Sequence, residues 1–384
     1  MNRALRVGGT VLLLASLKSI PAMACGGGGV TSKIAVTTNS QRIFMSVRAG
    51  GTTDIVAQIT VPETTADYGV LIPVPSEPTL DNQPVSAADL DALDLATRPV
   101  ISSERPSSGD SGCGCIWAGA DADDTGGTPK RGVTASPPVA IGPVQAVSLT
   151  GESGDAVRAW LTDNGFSLPD EDAATFDRYV GEGRYFIAIR RSERATSGAP
   201  SSIGIHYTMV GDHRMLSLGF TRIGAAPVLA FTLFLVAPEV VGPSEPFKAL
   251  TLNDLDPFAL QRGDYPGAVE SAIAARDSKA FVLESTTGVA ALATLAPGLT
   301  RFIDKGTMLT RATTLVRREK LDEDVVFATP FRGAVPSQRH VSLDGSRVRY
   351  AGMGSLSLLL LAGLLRRKGT RTPRRESTSQ RRKA

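Results

Sequence analysis

The chain holds three histidines, and two of them, His206 and His213, flank Asp212. An imidazole beside a carboxylate can act as an acid–base pair or help hold a metal ion. The bland alternative is a pair of half-exposed strand histidines on either side of a Gly211-Asp212 hairpin turn. His340 has no partner pattern around it. The second chemistry-bearing set is the three cysteines, Cys25, Cys113 and Cys115. Cys113-Gly114-Cys115 lies in a Gly/Ser/Asp-rich stretch, where a bond between the two would close a strained, easily reduced ring. Pairing of Cys25 with one of them is the preferred reading, and a thiol or metal role is the alternative. Tetrahedral zinc would need further soft ligands that three histidines hardly supply. Asp121-x-Asp123-x-Thr125-Gly126 resembles half of a calcium loop, but Gly132 stands where the closing Glu belongs. Gly26 to Gly29 lacks the Lys-Ser/Thr of a phosphate loop, and no Gly-x-Ser-x-Gly occurs. Asp322-Glu323-Asp324 reads as a charge cluster at a helix end. No catalytic residue, cofactor or metal is assigned; His206, Asp212 and His213 stand as site candidates.

The elements that must position these residues are mostly strands. Gly (39) and Pro (24) are plentiful and aromatics are 5%, which suits many turns. β-Branched runs predict strands over 33–37, 42–47, 54–61 and 68–74, with turns at Asn39-Ser40 and Gly50-Gly51. Ser86 caps a helix over 86–97, with Asp89 placed for a reciprocal contact and Leu90, Leu93 and Ala96 or Thr97 on one face. Residues 98–138 read as a long loop pinned by its cysteines. Beyond it, strands are expected over 139–149, 185–190, 203–210, 215–220 and 228–236, the last nearly all apolar and therefore central and buried. Helices are expected over 155–164, 172–180, 266–277 and 309–320. Because strand runs and helix runs are grouped, the fold class is α+β with antiparallel-rich sheets rather than doubly wound α/β.

The two ends give an address. Arg3 and Arg6, an apolar run from Val7 to Leu17 and an Ala22-x-Ala24 site form a secretory signal over residues 1–24. Lipid attachment to Cys25 is a second option, although Ala22 stands where such a site favours Leu. At the other end, the uncharged stretch 351–365 precedes Arg366, Arg367 and Lys368. It is short for the ~30 Å hydrocarbon core, and snorkelling of the basic residues would close the gap. The expectation is a hydrophobic anchor or sorting helix with a basic cytoplasmic tail, 366–384; a buried terminal helix is the alternative. Between the ends lie a strand-rich section, 25–97, the Cys-Gly-Cys loop, 98–138, and an α+β section, 139–345. The whole chain carries +3, but without both basic ends the body has 29 basic against 37 acidic residues, about −8. That disfavours a nucleic-acid partner. The expected partners are inner-membrane lipid, through the anchor, and an unknown envelope protein or surface ligand.

The order of motifs is similar to a known family. Ala24-Cys25-Gly26-Gly27, Gly69 to Pro75, Asp89 to Asp94, the Cys-Gly-Cys loop, Trp160-Leu161 before Asn164-Gly165-Phe166, Gly183 to Ala188, Leu309-Thr310-Arg311 and Asp322-Glu323-Asp324 together resemble the bacterial domain-of-unknown-function 2330 family. The resemblance implies an exported, often membrane-anchored protein and supplies no catalytic residues. Val30 stands where that family often has a second cysteine, which accounts for the odd count. Three functions follow as expectations: a binding or structural envelope protein, an envelope hydrolase near His206 and His213, or a thiol or metal protein using Cys113 and Cys115.

Overall fold

The computed structural model describes residues 29–31, 38–61, 69–103, 132–168, 170–192, 201–333, 335–337, 340–344 and 347–350. Two sheets dominate. The larger has nine strands, in the order β16 (Lys248–Leu250), β17 (Ala280–Gly288), β18 (Met308–Arg317), β14 (Ala225–Ala237), β2 (Thr38–Val47), β3 (Thr52–Val61), β12 (Ser201–Val210) and β5 (Thr79–Leu80), with β6 (Val85–Ser86) also on β12. The smaller has six, in the order β1 (Gly29–Thr31), β4 (Gly69–Val74), β11 (Tyr185–Arg191), β10 (Val144–Gly151) and β8 (Val133–Ala135), with β9 (Val139–Ile141) also on β10. Two three-stranded sheets join β13 (Met215–Leu216), β19 (Val325–Ala328) and β15 (Gly242–Pro243), and β21 (Arg347–Tyr350), β20 (His340–Asp344) and β7 (Val100–Ser103). The pairings are antiparallel except β14 with β2, β16 with β17 and β20 with β7. The helices are α1 (Ala87–Thr97), α2 (Gly154–Asp163), α3 (Ala173–Gly181), α4 (Leu218–Thr221), α5 (Pro257–Gln261), α6 (Tyr265–Ala274) and α7 (Leu292–Leu295). This is a mixed α+β fold with antiparallel-rich sheets and few, short helices.

Side-chain alternation stacks these elements as helix, sheet, sheet, helix. Ile43 and Met45 of β2 and Ile55, Ala57 and Ile59 of β3 face the smaller sheet and pack with Val70, Ile72, Ile187 and Ile189. The next residues along each strand point the other way. Leu71, Phe186 and Ala188 lie under Trp160 of α2 and Phe176 and Tyr179 of α3. Phe44 and Val56 lie under Leu90 and Leu93 of α1, with Leu299 and Phe302 from the segment between β17 and β18. Both sheets are thus covered on both faces, which is why several strands read as continuous apolar runs.

Local chemistry sets the helix ends. The Ser86 hydroxyl accepts the Ala88 N–H at 3.2 Å and starts α1, as its sequence predicts. Asp89 makes no reciprocal cap; its carboxylate instead accepts the Gly298 N–H at 3.0 Å. Gly165, at φ +84°, ends α2, with the Phe166 N–H returning to the Leu161 carbonyl at 2.9 Å.

Several expectations are corrected. Asn39-Ser40 is not a turn but part of β2, and the pairing of that stretch with β14 is irregular between Ala225 and Ala230. Residues 139–149 form a hairpin, β9 and β10, bent at Gly142 (φ +55°), rather than one strand. The expected loop 98–138 contains β7 and β8; its residues 104–131 lie outside the described residues. The strand expected over 215–220 is only β13 followed by α4. The helix expected over 309–320 is β18: Thr310, Thr313, Thr314 and Val316 are β-branched, and burial on both faces hides the alternation that marks an exposed strand. The signal and anchor stretches, 1–24 and 351–384, lie outside the described residues. Among the described residues no helix is long and apolar enough to cross a membrane.

Candidate functional site

Ile205, Tyr207 and Met209 of β12 point into the sandwich, so His206 and Thr208 face the outer cover of the larger sheet. Thr208 sits opposite Asp54 of β3 in the ladder, and its hydroxyl donates to the Asp54 carboxylate at 2.7 Å. His206 Nε2 lies 2.9 Å from Asp54 Oδ1, and Nδ1 lies 3.1 Å from Asp81 Oδ2. Asp81 is held there by its own N–H, which donates to the His206 carbonyl at 3.1 Å. The Phe302 ring stacks on the imidazole at 4.0 Å between centroids, 29° from parallel.

Two arginines complete the cluster. Arg48 reaches Asp54 at 3.3 Å and Asp304 at 2.7 Å, and Arg301 reaches Asp81 at 3.2 Å. Carboxylates only accept, so both imidazole bonds form together when each ring nitrogen carries a proton. Burial pushes the Asp54 carboxyl up, but the bonds from His206 and Thr208 and the charges of His206 and Arg48 outweigh it and hold the group below its usual range. His206 is only 7% exposed. The Thr208 hydroxyl gives its hydrogen to Asp54 and is not aligned as a nucleophile; its distance to Nε2 is 3.4 Å. The arrangement is built to hold charge in place.

The other sequence candidates go elsewhere. His213 Nε2 lies 2.7 Å from the Val210 carbonyl and 3.2 Å from the Ser76 hydroxyl. Asp212 takes both arms of Arg214 at 2.7 Å. Gly211 (φ +105°) donates to the Gly51 carbonyl, and β12 and β13 pair with different strands, so the expected hairpin at Gly211-Asp212 does not form. His206, Asp212 and His213 therefore belong to three separate contacts. Cys25, Cys113, Cys115 and the Asp121 to Gly126 stretch lie outside the described residues. Among the described residues, no group of three or more His, Cys, Asp or Glu is arranged to hold a metal ion.

A second ionic cluster lies on the same sheet face. Glu284 of β17 is fully buried; its carboxylate accepts from Arg311 Nε and from the Tyr265 hydroxyl of α6. Arg311 also donates to Asp94 of α1 at 2.7 Å and to the Thr97 hydroxyl at 3.3 Å. Burial works against the Arg311 charge, but Glu284 and Asp94 together raise its affinity for the proton. Asp324 is no helix-end charge: it accepts the Tyr179 hydroxyl and the Gly219 N–H, and burial pushes its carboxyl up despite those bonds. None of Arg48, Asp54, Asp81, Phe302, Glu284 or Arg311 stood out in the sequence as a site residue. The one available signal was a charge set inside an apolar run, as in Phe281-Val282-Leu283-Glu284.

A family model described as "Uncharacterized protein conserved in bacteria (DUF2330)" matches residues 21–243, more than half of the chain, and the chain belongs to that family. No curated protein and no solved structure matches the chain. The matched stretch carries Arg48, Asp54, Asp81, His206 and Thr208, whereas Glu284, Arg301, Phe302, Asp304 and Arg311 follow it.

Proposed function

With membership of this bacterial family as the premise, we propose that the protein is exported and held at the cell envelope, where it acts by binding or structural contact. The observation that carries this is the pairing of its two ends: a basic, then apolar leader closing on Ala22-Met23-Ala24, and an apolar stretch, 351–365, stopped by Arg366-Arg367-Lys368. In this reading the acidic body stands outside the cytoplasm, residues 351–365 anchor it in inner-membrane lipid or are clipped during sorting, and the tail stays inside. Cys25 and the Cys113-Gly114-Cys115 loop meet an oxidising compartment, where pairing between them is expected. A binding role is preferred over hydrolysis because His206 is closed on both nitrogens and on its ring face, and Thr208 is turned to Asp54.

Fractionation and mass spectrometry of the native product test the proposal. The expected result is a membrane-bound form beginning at or near Cys25, and release into the soluble fraction when residues 351–384 are deleted. Intact protein with its leader attached, dissolved in the cytosol, would overturn it.

A further inference from the structure

We infer that residues 289–307 form a hinged flap over the outer face of the larger sheet, latched shut by the His206 cluster. The hinge follows from the register. β17 and β18 are antiparallel neighbours whose ladder closes at Gly288 opposite Met308, with the Val289 N–H to the Thr307 carbonyl at 3.3 Å just beyond. The excursion thus leaves and re-enters the sheet at one point, and it can swing away without breaking a strand pairing. Much of its backbone bonding is internal: the N–H groups of Ala296, Leu299 and Ile303 donate to Leu292, Ala296 and Thr300, while the Gly298 N–H donates to the Asp89 carboxylate of α1 at 3.0 Å and the Arg301 carbonyl accepts from Arg48 at 2.9 Å.

What ties it down is side chains. Leu292, Ala296, Leu299 and Phe302 are buried against Phe44 and Val56 of the sheet and Leu90 and Leu93 of α1. Just before it returns to the sheet the latch engages: Phe302 on the His206 ring, Arg301 on Asp81, and Asp304 on both Arg48 and the Ala49 N–H at 2.7 Å. A segment held by a few apolar anchors and side-chain bonds, with no strand ladder of its own, has the makings of a low-stability unit within a stable fold. Opening takes Leu299 and Phe302 off Phe44 and Val56, which Leu90 and Leu93 of α1 still cover, and bares the ring face of His206 between its two carboxylates. This inference does not rest on the envelope reading.

Native-state hydrogen exchange on the full chain tests it. In the wild type, the amides of Ala296, Leu299 and Ile303 should exchange through an opening at least about tenfold more frequent than that of Leu233 and Leu235 in β14. Asp304→Ala, which removes two charge-assisted bonds at the rim, should speed the flap amides by a further factor of about ten and leave those of β14 unchanged. Flap and β14 amides that exchange at one common rate would overturn the hinge. Flap exchange that ignores Asp304→Ala would overturn the latch.

Discussion

The two ionic clusters on the outer face of the larger sheet are made of the same materials and closed in different ways. Glu284 and Arg311 sit on neighbouring strands and are sealed by α1, which supplies Asp94 and Thr97, and by α6, which supplies Tyr265. Asp54 and His206 also sit on neighbouring strands, but their cover is the 289–307 excursion, reached through Phe302 and Arg301. One cluster is walled in by helices that the rest of the core also needs. The other is shut by a segment that hangs from one end of a hairpin. Charged groups on one sheet face can thus be permanent core or part of a closure, and the covering element decides which.

The sharpest way to break this contrast is at Arg311. Arg311→Met alone leaves Glu284 buried without its cation and should cost about 3–5 kcal/mol in denaturant unfolding. Replacing both, Glu284→Leu with Arg311→Met, should recover most of that loss, because apolar pairs of similar volume replace buried ion pairs at little cost. If Arg311→Met costs under about 1 kcal/mol, the cluster is not sealed and the contrast disappears.

The sequence foretold the sheets better than their cover. β4, β11, β12 and β14 are legible because β-branched and aromatic runs are bounded by turn residues, and α1, α2 and α6 because Ser86, Asn164-Gly165 and Pro266 mark their ends. β18 was not, since a strand buried on both faces keeps no polar alternation and its Leu and Arg content imitates a helix. His206 was legible as a candidate, but not its partners. Asp54 comes from the adjacent strand, Asp81 from the turn after β5 and Phe302 from a segment far along the chain, and only the fold brings them together. The family match ends at residue 243, yet β16, β17 and β18 extend the same sheet as β2, β3 and β14. The domain is therefore not complete where the match stops.

The His206 cluster should also reveal itself through pH. The Asp54 carboxyl titrates lower in the folded protein than in the unfolded chain, where the usual value is about 3.9. Its contribution is therefore fully present above the unfolded value and is lost as pH falls through the folded one. Asp54→Asn should lower stability at neutral pH by about 1–3 kcal/mol, the range for a bond to a charged group. It should also flatten the stability curve on the acid side below about pH 4. An unchanged acid limb in Asp54→Asn would show that Asp54 is not part of a coupled cluster.

The smallest effect belongs to the rim. Arg301 pairs with Asp81 at 3.2 Å and lies over the Phe302 ring at 4.6 Å, but its side chain is 43% exposed. Exposed ion pairs contribute roughly 0–1 kcal/mol because water and salt screen them and a long side chain must be ordered. A cation over an aromatic ring at an exposed site adds on the order of 0.5–1 kcal/mol. Arg301→Ala should therefore cost about 1 kcal/mol in global unfolding, several-fold less than Arg311→Met, and the ion-pair share of that loss should shrink in high salt. Arg301 and Arg311 are each bonded to an aspartate and each lie over a phenylalanine, but only Arg311 is buried and holds a second, fully buried carboxylate, Glu284. If the two losses are instead equal, burial by α1 and α6 adds nothing over closure by the 289–307 excursion, and the distinction between sealed and latched charge falls.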